Sequence, residues 1–149
     1  MESWSIAEVE AYRKANGVLL KRNNVPKPIL AFDESNFPDF VRKEIEARRD
    51  YTSPTCIEAL SWSIALSCRN YIGIAETGSD RALAYVLPAV IHVSRQPPRK
   101  QQDGPIAVLV APTRDLARAI HNLASELGDH AGLRNVCAAN GDSKGGQYA

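Results

Sequence analysis

The run Ile106-Ala107-Val108-Leu109-Val110-Ala111 constrains the fold more than any other stretch of this chain. Its apolar residues are continuous rather than alternating, which is the pattern of a parallel strand covered on both faces. A polar linker precedes it, Ser94 to Gly104, containing Pro97, Pro98, Arg99, Lys100, Gln101 and Gln102. The segment Thr113 to Leu127 follows it and has the periodicity of an amphipathic helix. A strand buried on both faces needs helices to cover it, so the chain is expected to be an α/β protein.

The rest of the sequence supplies the remaining elements. Tyr71-Ile72-Gly73-Ile74-Ala75 is a second short apolar run, bounded by Asn70 and a loop at Thr77, and reads as a buried strand. That loop feeds a helix from about Arg81 to Val93, which Pro88 is expected to kink. Asn135 to Ala139 is a third candidate strand. Pro38 to Arg49 reads as a helix with Phe40, Val41, Ile45 and Ala47 on its apolar face. Thr55 to Leu66 reads as another, with Pro54 just before its start. Near the N-terminus, Ser5 followed by Glu8 has capping-box spacing and opens a helix ending near Ala15. Pro26 and Pro28 keep residues Asn16 to Pro28 out of a helix and leave an extended arm, with the basic segment Lys21-Arg22-Asn23-Asn24 on its surface. Strand, loop, helix, strand, helix, strand is the order of a parallel sheet with right-handed crossovers.

An apolar content of 44% over 149 residues suits one domain, or a large piece of one, with a packed core. The net charge of +1 argues against a basic nucleic-acid coat but leaves room for a local basic strip. Three cysteines, Cys56, Cys68 and Cys137, give neither a disulfide framework nor a zinc spacing. They are expected to be reduced thiols, which points to the cytosol or nucleus. No run is long and apolar enough to span a membrane, and Glu2, Glu8 and Glu10 precede any apolar stretch, unlike a signal peptide. His92, His121 and His130 have no metal-binding spacing, and no nucleophile–histidine arrangement stands out.

The loop between the first strand and its helix carries the chemistry. It reads Ala75-Glu76-Thr77-Gly78-Ser79-Asp80-Arg81-Ala82. A phosphate-binding loop in this place ends in Gly-Lys-Ser/Thr, where this chain has Asp80, Arg81 and Ala82. Backbone N–H groups over Thr77, Gly78 and Ser79 retain the makings of an anion nest at a helix start. Asp80 sets a negative charge beside where phosphate oxygens would lie, a repulsion of about 4 kcal/mol. Arg81 keeps the cation but replaces a compact ammonium with a planar fork. Ala82 has no oxygen for Mg²⁺. Two readings stay open: a weakened nucleotide loop, or a plain strand-to-helix turn.

Taken in order, Phe32 and Phe37-Pro38, Pro54-Thr55-Cys56-Ile57-Glu58, Ala75 to Ala82, Leu87-Pro88-Ala89, Ala111-Pro112-Thr113-Arg114-Asp115-Leu116-Ala117 and the Gly141 region resemble the DEAD-box RNA helicases. The resemblance runs from about Glu8 onward. It implies a partial RecA-like P-loop lobe, with a parallel sheet and flanking helices, over residues 32–149, and an N-terminal flank over 1–31. It implies ATP and Mg²⁺ as cofactors and RNA as partner. The family's glutamine, which donates to and accepts from adenine, is Glu58 here; a carboxylate only accepts, a loss of about 1–3 kcal/mol at a buried site. Phe32 corresponds to the aromatic that stacks on adenine. The bland alternatives are that Phe32 and Phe37 are core aromatics and that Glu58 is a solvated helix carboxylate.

Pro112, Thr113 and Arg114 match the segment that meets the RNA backbone, where a helix N-terminus and an arginine offer donors to phosphate. An N-cap threonine beside a solvated arginine is the alternative. Gly141 matches one glycine of the family's double-glycine loop, and Asn140 replaces the other; a C-terminal tail is the alternative there.

The family's Asp-Glu-Ala-Asp and Ser-Ala-Thr segments and its second lobe would follow Ala149, so no catalytic residue and no metal ligand is assigned. Phosphoryl transfer needs metal, positioned water and charge stabilisation together. A lobe lacking its later strands exposes a sheet edge that a protein partner would cover. Three functional readings follow: an RNA-binding helicase-like protein with weak or lost ATP turnover, a non-catalytic module competing with an active helicase, or a truncated remnant.

Overall fold

The computed structural model describes residues 4–21, 24–48, 51–76, 81–98, 100, 102–139 and 141. They form five α-helices: α1 (Ile6–Ala15), α2 (Asp39–Ala47), α3 (Cys56–Leu66), α4 (Arg81–Ser94) and α5 (Arg114–Asp129), with a 3-10 turn at Phe32–Glu34. The chain divides into two compact units, Met1–Asn36 with Arg49–Tyr85 and Phe37–Arg48 with Val86–Ala149.

In the first unit, α1 starts where the sequence sets its cap. The Ser5 N–H donates to Glu8 Oε2 at 2.7 Å and the Glu8 N–H returns to Ser5 Oγ at 3.2 Å. Val9 is the buried residue of this helix. From the last turn of α1, Arg13 reaches across to the arm, its Nη2 donating to the carbonyls of Val25 and Pro26 at 3.4 Å each. The arm is tied again where the Ile29 N–H donates to the Ala59 carbonyl of α3 at 3.0 Å. Burial, helped by a hydrogen bond to Cys56, pushes the Tyr12 phenol well above its ordinary range. Tyr12 thus links α1 to the first residue of α3.

In the second unit, Val41 and Ile45 stand one turn apart and are both buried, as the apolar periodicity of α2 requires. Ala47, expected on that face, is exposed. α2 packs against α5, and Arg48 Nη2 closes on Glu126 Oε2 at 3.1 Å beyond its end. α5 buries Ile120 and Leu127 and ends at Asp129, two residues beyond the expected boundary. Gly132, at φ +64°, then turns the chain so that the Leu133 N–H caps the Gly128 carbonyl at 3.1 Å.

α4 buries Leu83, Ala84, Val86, Leu87, Val90 and Ile91 and continues through Pro88. A helix hydrophobic around this much of its circumference belongs in a core.

The expected strands are not seen among the described residues. Residues 71–75, 106–111 and 135–139 have no regular secondary structure, and no β-ladder forms among the described residues. Ile72 is 93% exposed, Ile74 92% and Val110 89%. A continuous apolar run signals a strand only when neighbours lie about 4.8 Å to either side and helices cover its faces. The described residues supply no such neighbour, so the runs keep the composition of buried strands without the pairing.

Candidate functional site

Phe32, Tyr51, Glu58 and Trp62 come together in the first unit. The Phe32 ring lies 5.0 Å from that of Tyr51 and 6.3 Å from that of Trp62, tilted 42° to each. Trp62 is fully buried, and its indole N–H donates to the Leu83 carbonyl at 3.1 Å. Phe32 is half-buried, whereas Phe37 is a core residue of the second unit.

Glu58 is not the solvated carboxylate that its chemistry allows: it is 0% exposed. Its position three residues past Thr55 explains half of this, since Oε2 accepts the Thr55 N–H at 2.7 Å and closes the start of α3. The Tyr51 hydroxyl donates to the same oxygen at 2.6 Å. Oε1 is buried and has no hydrogen-bond partner among the described residues. An unsatisfied buried acceptor costs about 1–3 kcal/mol, so it marks a place where a donor would be gained. Tyr51 was not among the residues singled out from the sequence. It stands seven residues before Glu58 and outside α3, so no helical period connects the two.

At the other end of this segment, Thr77, Gly78, Ser79 and Asp80 lie outside the described residues. Arg81, the first residue of α4, is exposed, and its Nη1 donates to the Ala75 carbonyl at 3.4 Å. Ala82 is half-buried. Burial raises the Tyr85 phenol, with Arg81 opposing the shift. A purine nucleotide fits these residues in part. The orphaned Oε1 suits an amino donor, the Phe32 ring offers an aromatic wall, and Arg81 supplies a cation. Glu58 has no donor for a ring nitrogen, and Ala82 has no metal-binding oxygen. Among the described residues no group of three acidic, histidine or cysteine side chains could hold a metal ion.

In the second unit, Thr113 caps α5. Its backbone is extended at φ −130° and ψ 153°, and its Oγ1 accepts the Leu116 N–H at 3.3 Å. Pro112, Thr113, Arg114 and Asp115 are all exposed. Gly141, at φ +88°, lies so close that a Cβ there would be 3.7 Å from Arg114 Nη1. Two residues 27 positions apart in the chain therefore share one exposed site at the positive end of a helix. Asn140 and the loop residues after Gly141 lie outside the described residues.

The family model for DEAD/DEAH box helicases matches residues 55–149. The chain belongs to the DEAD/DEAH box helicase family. It is 46% identical over 140 residues to the ATP-dependent RNA helicase p62 of Drosophila melanogaster, covering 94% of this chain and 19% of that protein. It is 43% identical over 143 residues to the ATP-dependent RNA helicase DBP2 of Ajellomyces capsulatus, covering 96% of this chain and 26% of the relative. The chain thus spans about a fifth to a quarter of the length of these curated relatives.

Among solved structures, the RNA helicase Prp28 of Chaetomium thermophilum bound to ADP superposes with a TM-score of 0.87 at 29% identity, over 99% of this chain and 36% of that one. The yeast DEAD-box splicing factor Prp28 gives 0.72 at 28% identity, over 83% of this chain and 29% of its own. The helices described above are therefore those of a partial RecA-like lobe. No helix among the described residues is long and apolar enough to cross a membrane. Cys56, Cys68 and Cys137 are free thiols.

Proposed function

We propose that this chain is the RNA-contacting part of a DEAD-box helicase lobe, with its nucleotide site weakened. Residues 32–149 form the lobe and 1–31 its flank. Pro112, Thr113, Arg114 and Gly141 meet the RNA backbone: the positive start of α5 and the Arg114 guanidinium face phosphate. The observation that carries this reading is the approach of Arg114 Nη1 to Gly141, 3.7 Å from its Cβ position, in an exposed site.

Phe32 and Glu58 serve the base of ATP, and Thr77, Gly78, Ser79, Asp80, Arg81 and Ala82 its phosphates, with Mg²⁺ left without the usual hydroxyl. The altered residues at 58, 80, 81 and 82 each remove an interaction, so binding is weaker than in a relative with an intact loop and turnover is slow or lost. The exposed apolar runs at 71–75 and 106–111 would become strands of a parallel sheet on pairing with further segments or with a partner protein. RNA remodelling coupled to ATP belongs to the whole helicase, and the compartment of action is the nucleus or cytoplasm.

Fluorescence anisotropy with labelled single-stranded RNA over a salt series tests the RNA site. Arg114→Ala should weaken binding several-fold and lower the slope of log affinity against log salt by about one. An unchanged affinity and slope would remove Arg114 from the interface. A second reading, an RNA-binding module indifferent to nucleotide, draws on the closure of Glu58 from solvent. An RNA affinity that does not change when ATP is added would favour it.

A further inference from the structure

The chain folds back on itself beside the end of α1. Gly17, at φ +63°, reverses it: the Gly17 N–H donates to the Lys14 carbonyl at 3.2 Å and the Val18 N–H to the Arg13 carbonyl at 2.9 Å. The arm then returns alongside and is fastened there. Arg69 Nη1 donates to the Asn24 carbonyl at 2.6 Å, and Arg13 holds the next two carbonyls. Between the last turn of α1, the reversal and the arm lies a cavity of about 740 Å³, all of it within the first unit. Its lining is of two kinds. Val18, Leu19 and Leu20 supply aliphatic surface, and Leu19 is 95% exposed, the highest value of any large apolar residue described. Glu10 is paired with Arg13 at 3.3 Å, whereas Lys14 is exposed and its ammonium has no partner among the described residues. The cavity therefore sets one uncompensated positive charge beside an aliphatic wall. No aromatic ring lines it, so nucleic-acid bases have nothing to stack on. A leucine this exposed is covered by a partner that spreads over the surface, not by a small ligand enclosed within it.

We propose that this cavity docks a short acidic segment of a partner protein, with an aliphatic side chain of the segment on Leu19 and Leu20 and a neighbouring carboxylate on Lys14. The apolar contact supplies the affinity, and the charge selects acidic over basic segments. The reversal and the arm are already held by hydrogen bonds, so docking orders little of this chain. The cavity shares no residue with the nucleotide and RNA sites above, and the assignment stands apart from both.

Selection of a displayed library of random short peptides on the full chain is the test, followed by fluorescence anisotropy of the enriched peptide. Enriched sequences should place leucine, isoleucine or methionine next to aspartate or glutamate. Leu19→Ser should weaken the enriched peptide about tenfold or more, because a leucine side chain is lost from the contact. Lys14→Glu should weaken it about tenfold at low salt and less at high salt, while Lys14→Arg should leave it unchanged. Both side chains are exposed, so these variants should keep the circular dichroism spectrum of the native chain. Enriched sequences without acidic residues, binding indifferent to Leu19→Ser and Lys14→Glu, or no enrichment above background would each overturn the proposal. Binding of labelled single-stranded RNA that Lys14→Glu abolishes and Leu19→Ser leaves intact would also overturn it, giving the cavity to nucleic acid.

Discussion

Two helices in the first unit begin with the same four-residue device and put it to different ends. At α1, Ser5 and Glu8 stand three residues apart; at α3, Thr55 and Glu58 do the same. In each the N-cap N–H donates to the glutamate Oε2 at 2.7 Å. Glu8 lies in solvent, where water takes the remaining lone pairs. Glu58 is fully buried, where only protein groups can, and Oε1 is left without a partner among the described residues. The local sequence fixes the cap in both places. Burial decides whether the same carboxylate is a helix ornament or a polar group with an unmet requirement.

The largest expected effect comes from removing the floor of the buried copy. Trp62→Ala deletes a fully buried indole beside Phe32 and leaves the Leu83 carbonyl without that donor. Loss of a buried tryptophan costs about 3–5 kcal/mol. Urea denaturation followed by circular dichroism should show a correspondingly lower midpoint. A change under about 1 kcal/mol would mean that the burial around Glu58 contributes little to the fold.

The next test sets the two glutamates against each other. Glu58→Ala removes the acceptor of the part-buried Tyr51 hydroxyl and Thr55 N–H, a loss of about 1 kcal/mol or more. Glu8→Ala exposes the Ser5 N–H to water and should shift the same midpoint less. Equal shifts would show that the caps alone matter and that burial adds nothing.

The helices were legible because their signals are local. Ser5 with Glu8, Pro54 before Thr55, and the spacing of Val41 and Ile45 each act within a turn or two. The strands were not realised because a strand is a relation between segments. Ile72, Ile74 and Val110 have the right composition, but no ladder partner lies among the described residues. The site shows the same division. Arg114 and Gly141 were each readable from their motifs, and the fold brings them together. The burial of Glu58 was not readable, because it depends on Tyr51 and on the packing around Trp62. The signal that could have found the cap is the three-residue spacing of Thr55 and Glu58, the same as that of Ser5 and Glu8.

The smallest effect is the dependence of the exposed cap on pH. The Ser5 backbone N–H, with the Ser5 hydroxyl assisting, holds the Glu8 carboxyl below its ordinary value of 4.5. A carboxylate whose folded value is depressed binds its proton more readily in the unfolded chain. Its contribution is therefore fully present above pH 4.5 and is lost as the pH falls from there through the lower folded value. Glu8→Gln removes the titration. The stability difference between the native chain and this variant should be constant from neutral pH down to about pH 5 and shrink below it. Thermal melts of the pair across that range check it, and salt should reduce the part due to Lys27 while leaving the Ser5 hydrogen bonds in place. A difference that stays flat to pH 3 would mean that the Ser5–Glu8 cap is not formed in solution. The contrast between the two helix starts would then rest on Glu58 alone.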